Sequence, residues 1–292
     1  MATEKFFTAS AEDAGMRLDH YLARHLSCGQ RAAKRLVADG RVTINGKLKT
    51  AQYKITAGAK IAVGEACSDT PPVVEIPLIA GNGEYAVFYK PAGLHTAAIA
   101  GSAAPNMETA LKEQGISAIL LSRLDQATSG LVAAARSPEA AARFKVMEAA
   151  GQVSKDYIAL VYGMVQSLEH DSIHKPLLLR NTLDTADRKR TRVLEEPSLD
   201  ATRYTEVRPL TLPSRPSPLE GASFVTARIR RGARHQIRAH LAFAGYPIVG
   251  DLLYGGMEHE MGLFLHHARI TMPGLTAFAP PPWLPDFLED IL

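Results

Sequence analysis

From residue 85 onward the apolar residues of this 292-residue chain gather in short runs bounded by turn-forming residues, and this grouping limits the fold more than any other feature. The stretch "EYAVFYKPAG" (84–93) reads as a strand ending in a Lys-Pro-x-Gly turn. "SGLVAAARS" (129–137) is a near-continuous apolar strand, and "SKDYIALVYG" (154–163) is a strand by alternation and β-branched content. "DATRYTEVRPL" (200–210), "ASFVTARIRRG" (222–232) and "LFLHHARITM" (263–272) read as three more. Helices are fewer. "NMETALKEQG" (106–115) has Asn106 as a cap and Gly115 as a stop. "SPEAAARFKVMEAAG" (137–151) has Ser137 at the N-cap, Pro138 at the first helical position and Gly151 past the end. "ARHQIRAHLAFAG" (233–245) closes at Gly245. Strands outnumber helices and adjoin one another, so residues 77–292 are expected to form an α+β domain on a mixed, largely antiparallel sheet.

The first part of the chain differs. Between Arg17 and Lys60 there are ten Lys/Arg and two acids, Asp19 and Asp39, a charge of +8 within a chain of net +3. Charge this concentrated is the footprint of a polyanion partner. Leu18, Tyr21, Leu22, His25 and Leu26 share one helical stripe, and a second short helix turns Ala32, Ala33, Leu36 and Val37 inward before Gly40. Arg31, Lys34 and Arg35 fall on that helix's polar side, where they are candidate phosphate contacts. Asn45-Gly46 marks a hairpin, and "AGAKIAVG" adds one more strand. "RLDHYLARHL…GQRAAKRLVADGRVTINGK" resembles an S4-type RNA-binding module, which implies structured RNA as the partner. Residues 14–65 are therefore expected to be a small α/β domain, 66–76 with Pro71-Pro72 an extended linker, and "TLPSRPSPLEG" (211–221) a surface insertion.

Several classes are excluded on composition and motif. Cys28 and Cys67 make neither a disulfide framework nor a zinc pattern. No apolar run is long enough to span a bilayer, and the N-terminal residues do not read as a secretory signal, so a cytoplasmic protein is expected. His235 and His240 are wrongly spaced for two ligands on one helical face, and His266 and His267 point opposite ways on a strand, so no metal site is expected. Neither G-x-S-x-G nor a P-loop is present.

The stretch "SRLDQATSG" (122–130) carries the sharpest question. Thr128, Ser129 and Gly130 allow a tight turn and offer hydroxyls to the Asp125 carboxylate. On local grounds alone the plainer reading is an Asx turn capping its own loop. A resemblance shifts that balance. "SRLDQATSGLVAAAR" is similar to the "H-R-L-D-x-x-T-S-G-L-L" signature of the RluA-type pseudouridine synthases. "VFYKPAGL", "VSKDYIALVYG" and "RHQIRAHLAFAGYPIVGDLLYG" resemble three further blocks of that family, in order, and together they cover nearly the whole larger domain.

The resemblance implies the pseudouridine synthase fold and the following roles. Asp125 matches the catalytic aspartate, Tyr157 the tyrosine that packs on the uracil ring, and Arg238 the arginine that pairs with the aspartate. Arg123 matches the arginine that displaces the target nucleotide; Thr128, His235 and Gln236 are candidate substrate contacts, and Ile237 and Leu265 candidate pocket walls. Two positions depart from the pattern. Ser122 replaces the usual His, and Ala233 stands where the usual arginine sits, with Arg234 one place later.

Pseudouridine formation breaks the N1–C1′ bond, turns the uracil and joins C5 to C1′. Positive charge develops at the sugar, so a fixed carboxylate there either attacks or acts as a base. A stacked uridine must first be flipped out. No redox change or released group is involved, so no cofactor is expected. Five arginines between Arg228 and Arg238, and "DRKRTR" (187–192) in a loop, would track the phosphate backbone. Large-subunit ribosomal RNA is the expected substrate and a monomer the expected state. Transfer RNA is the alternative substrate, a non-catalytic RNA-binding protein on the same fold the alternative function. An N-glycoside hydrolase would want a second carboxylate; Asp251 reads as structural.

Overall fold

The computed structural model describes residues 5–64, 74–99, 104–165, 175–210, 219–284 and 286, apart from the side chains of residues 31 and 38. The chain divides into two compact units, Met1–Val73 and Val74–Leu292. The expected linker lies mostly outside the described residues, as does most of the expected insertion.

The first unit has strand β1 (Lys5–Thr8), helices α1 (Leu18–His25) and α2 (Gln30–Ala38), and strands β2 (Val42–Ile44), β3 (Lys47–Leu48) and β4 (Lys60–Val63). Its sheet runs β1-β4-β2-β3, all antiparallel. The β2–β3 turn has positive φ at Asn45 and Gly46, as a two-residue hairpin with right-handed twist requires. Leu18, Tyr21, Leu22, Ala33 and Val37 pack with Val42, Ile44, Ile61 and Val63 in a core of their own. Two expected core residues differ: Ala32 is exposed, and His25 lies at the exposed edge, stacked on Tyr21.

The second unit contains β5 (Leu78–Gly81), β6 (Tyr85–Lys90), α3 (Met107–Glu113), β7 (Ile119–Leu120), β8 (Ser129–Ala135), α4 (Pro138–Ala149) and β9 (Ser154–Tyr162). There follow β10 (Leu177–Leu179), β11 (Asn181–Asp184), β12 (Arg192–Pro197), β13 (Thr205–Pro209), β14 (Ala222–Ile229), α5 (Gln236–Phe243), β15 (Leu265–Met272) and β16 (Leu275–Phe278). The main sheet runs β10-β13-β14-β9-β15-β8-β6-β5, with β16 on β15 and β7 on β8. Among the described residues only β15 and β8 pair in parallel, so the sheet is mixed and largely antiparallel.

The apolar run of β8 has a simple cause. Leu131, Ala133 and Ala135 enter the core formed with Phe144 of α4, while Val132 and Ala134 enter the larger core on the other face. A strand covered on both sides has no polar positions to alternate with. The helix caps follow the sequence: Asn106 accepts from Thr109 N and Ser137 from Ala140 N. The segment "DATRYTEVRPL" is not one strand. Asp200 caps a 3-10 turn over Ala201–Arg203, and β13 starts only at Thr205.

Candidate active site

Four adjacent strands bring the site together. In register across the sheet, Ala227 of β14 faces Tyr157 of β9, Tyr157 faces His267 of β15, and His267 faces Gly130 of β8. Asp125 sits in the loop that enters β8, and α5 starts beyond the end of β14. A cleft between them is lined by Arg123, Asp125, Thr128, Tyr157, His235 and Arg238, with Ile229, Ile237 and Leu265 as apolar walls.

Arg238 organises this cleft. Its Nη1 donates to Asp125 Oδ2 at 2.8 Å. Its Nε and Nη2 donate to Asp251 Oδ2 and Oδ1, both at 2.8 Å. Burial acts against the guanidinium charge, but the two carboxylates outweigh it and hold the Arg238 pKa above its ordinary value. The fork is thereby fixed in plane, and Nη1 is left to aim Asp125. Asp251, read from sequence as structural, is fully buried and has this specific task. Tyr254 stacks beneath, with the Arg238 guanidinium carbon 5.2 Å from its ring centre.

The Asp125 loop is pinned by backbone contacts. Thr128 N donates to Asp125 O, closing the turn. The Thr128 and Ser129 hydroxyls do not bond the carboxylate as expected: Ser129 Oγ pairs with His266 Nδ1, and Thr128 Oγ1 is buried against the cleft with no partner among the described residues. Fully buried Lys90 supplies the other anchor, with Nζ donating to the carbonyls of Pro91, Leu94 and Gln126. Burial pushes its pKa down to about 8, with Asp125 acting in the opposite sense. Thr96 Oγ1 adds bonds to both backbone groups of Leu124. Lys90 and Thr96 were missed as supporting residues, although Lys90 stands in the quoted Lys-Pro-x-Gly block.

Tyr157 is buried, and His267 stacks on it at 4.6 Å between ring centres, 15° from parallel. Burial first, and then the charges of Asp125 and Glu148, push the Tyr157 phenol above its ordinary pKa. It is therefore a neutral aromatic wall at neutral pH. His267 Nδ1 lies 2.5 Å from Leu131 O, and burial lowers its pKa to about 3, so it too is neutral.

The remaining expected contacts divide. Arg123 is exposed at the mouth of the cleft. Gln236 lines the cleft, but its amide is already used: Nε2 donates to Arg203 O and Thr205 Oγ1, and Oε1 accepts from Ala233 N. It fixes the start of α5 and has little left for a substrate. Arg234 is exposed and reaches Thr185 O at 2.6 Å, tying the loop between β11 and β12 to α5. Ser122, in place of the usual His, has a buried hydroxyl with no partner among the described residues. On the first unit Lys34 and Arg35 are exposed on α2.

A family model described as RNA pseudouridylate synthase matches residues 84–243. The chain belongs to the RNA pseudouridylate synthase family. It is an RNA pseudouridine synthase, and residues 16–61 match the S4 domain. A ribosomal large subunit pseudouridine synthase C of Haemophilus influenzae is 30% identical over 90% of this chain and 85% of its own length. Its counterpart in Escherichia coli is 28% identical over 92% and 89%. The human RNA pseudouridylate synthase domain containing 1 has the same fold, with a TM-score of 0.56 at 20% identity over 73% of this chain and 86% of its own. Among the described residues no cluster of three metal-ligating side chains occurs, and no helix is long and apolar enough to cross a membrane.

Proposed function

We propose that this synthase isomerises specific uridines of large-subunit ribosomal RNA, with Asp125 acting at the sugar. The observation that carries the assignment of Asp125 is the clamp on Arg238, which aims one carboxylate oxygen from a rigid, buried base. Arg123 at the mouth helps to move the target uridine out of its stack, and Tyr157 packs on the flipped base. Detached uracil must stay in place while it turns, and the wall of Tyr157, Ile229, Ile237 and Leu265 keeps it there. Thr128 Oγ1 offers a bond to the base edge. The substrate class is supported by the names of the bacterial relatives and by the S4 match. The α2 residues Arg31, Lys34 and Arg35 contact phosphates. A cytoplasmic location and a monomeric state accompany this reading.

The test is pseudouridine mapping by carbodiimide treatment and primer extension on total RNA. Cells with and without the gene are compared, complemented by wild type or Asp125→Ala. One or a few ribosomal uridine signals should vanish with the gene and return only with wild type. A change confined to transfer RNA would move the substrate, and full rescue by Asp125→Ala would remove Asp125 from the chemistry.

A further inference from the structure

His235 occupies a backbone conformation that few residues adopt. Its φ of 53° and ψ of 18° are left-handed, and it caps α5 without using its side chain for the cap. The imidazole instead reaches Tyr254, with Nδ1 3.1 Å from the phenol oxygen. That oxygen has two other contacts: it accepts from Thr191 N at 2.8 Å and donates to Thr191 O at 3.2 Å. A phenol has one hydrogen. With that hydrogen on the Thr191 carbonyl, the contact to His235 requires the imidazole to donate from Nδ1. Burial lowers the His235 pKa, so the ring is neutral at neutral pH and carries only that one proton. The network thus leaves Nε2 as a bare acceptor.

Nε2 lies 3.7 Å from Asp125 Oδ1, and both side chains line the cleft. Two acceptors stand side by side on the cleft wall, and a hydroxyl, with its single hydrogen, donates to Nε2 at about 2.8 Å when its oxygen stands clear of Oδ1. Asp125 works at C1′, and the ribose hydroxyl on the adjacent carbon is the 2′-OH. A 2′-OH that donated to Asp125 would quench the carboxylate before reaction. An imidazole acceptor beside it takes that hydrogen instead and leaves the carboxylate oxygen free. We propose that His235 Nε2 accepts the hydrogen bond of the target nucleotide's 2′-hydroxyl, with Tyr254 and Thr191 fixing its tautomer, and that this contact selects ribose over deoxyribose at the reacting position. Protein readout of the 2′-OH is the general means of telling RNA from DNA at a site. The inference rests on the reading of Asp125 as the group acting at the sugar.

The test uses the full chain and a short synthetic RNA centred on the mapped uridine, with a second oligonucleotide carrying 2′-deoxyuridine at that position alone. Wild type should convert the deoxy substrate about tenfold more slowly, the worth of one lost hydrogen bond. His235→Gly deletes the imidazole while suiting the left-handed backbone; it should slow the ribose substrate and bring the ratio to within about twofold. Tyr254→Phe, which frees the tautomer, should give an intermediate ratio. A purely structural His235 would slow both substrates alike, so an unchanged ratio in His235→Gly overturns the proposal. Long-range proton–nitrogen NMR of the free enzyme should show Nδ1 protonated and Nε2 bare, and a protonated Nε2 also overturns it. That measurement stands even if no uridine is mapped, an outcome that would defeat the proposed function instead.

Discussion

Arg238 illustrates how one residue holds chemistry and stability together. Among the described residues Asp251 pairs with no other guanidinium, and its side chain is shut off from water. Removing one member of a buried pair leaves the other charged and uncompensated, at a cost of about 3–5 kcal/mol. Arg238→Leu is therefore expected to lower stability by that amount in urea unfolding, because Asp251 stays buried without its cation, and to reduce kcat because Asp125 loses the donor that aims it. Adding Asp251→Ala to Arg238→Leu should recover part of the stability and none of the activity. Lys90 gives a second expectation with a definite sign. Its pKa falls from 10.5 in the open chain to about 8 in the fold. Between those values the native protein has released a proton that the unfolded chain keeps, so stability rises with pH across the window, by up to about 3 kcal/mol. Lys90→Met lacks this rise. Urea midpoints of both proteins at pH 8 and pH 10.5 should diverge in favour of wild type, and parallel behaviour would show that Lys90 stays charged.

At the level of elements, the site depends on how closely β8 approaches β15. A Cβ at Gly130 would lie 2.3 Å from His267 O and 2.6 Å from His267 N, and the backbone there has φ of 117°. Gly130→Ala must push the strands apart or twist β8 out of its left-handed step. Either way the His267–Tyr157 stack shifts, so a loss of about 3 kcal/mol or more is expected in thermal unfolding, with activity falling further than stability alone explains. Much of this architecture is legible in the sequence, because β8, β9, β14 and β15 are long and bury both or alternate faces. The short strands β1, β5, β10 and β16 are not, since three or four residues carry no period and their pairing is decided by neighbours far along the chain. The site divides in the same way. Asp125, Tyr157 and Arg238 stand in recognisable blocks. The Asp251 clamp, the Lys90 bond to Gln126 O and the Thr191–Tyr254–His235 chain join residues 13 to 63 positions apart, which no local pattern encodes.

For the whole molecule, positive charge is gathered in one stretch: +8 within residues 17–60, leaving −5 for the rest of a chain of net +3. The structure shows that these cations are not equivalent. The buried carboxylate of Asp19 takes two hydrogen bonds from Arg17, at 3.0 and 2.9 Å, so Arg17 serves the fold of its own unit. Lys34 and Arg35 stand at 3.8 Å from Asp19 and Asp39, beyond hydrogen-bond distance, and are largely exposed on α2. The Arg35–Asp39 pair is exposed on both sides and contributes little to stability, and Lys34 adds only a loose contact to a carboxylate that Arg17 already bonds twice, so both cations can exchange a carboxylate for an RNA phosphate with the release of counterions. The two kinds of cation should therefore separate under mutation. Lys34→Ala with Arg35→Ala is expected to leave the unfolding midpoint nearly unchanged, weaken RNA binding, and lower the slope of log affinity against log salt by about 1–2. Arg17→Ala should lower the midpoint, because Asp19 then keeps a buried charge without its hydrogen bonds. Binding of the full chain to a ribosomal RNA fragment between 50 and 300 mM salt, read beside thermal unfolding, makes the distinction. A salt slope unmoved by the double α2 variant would place the phosphate contacts on other cations.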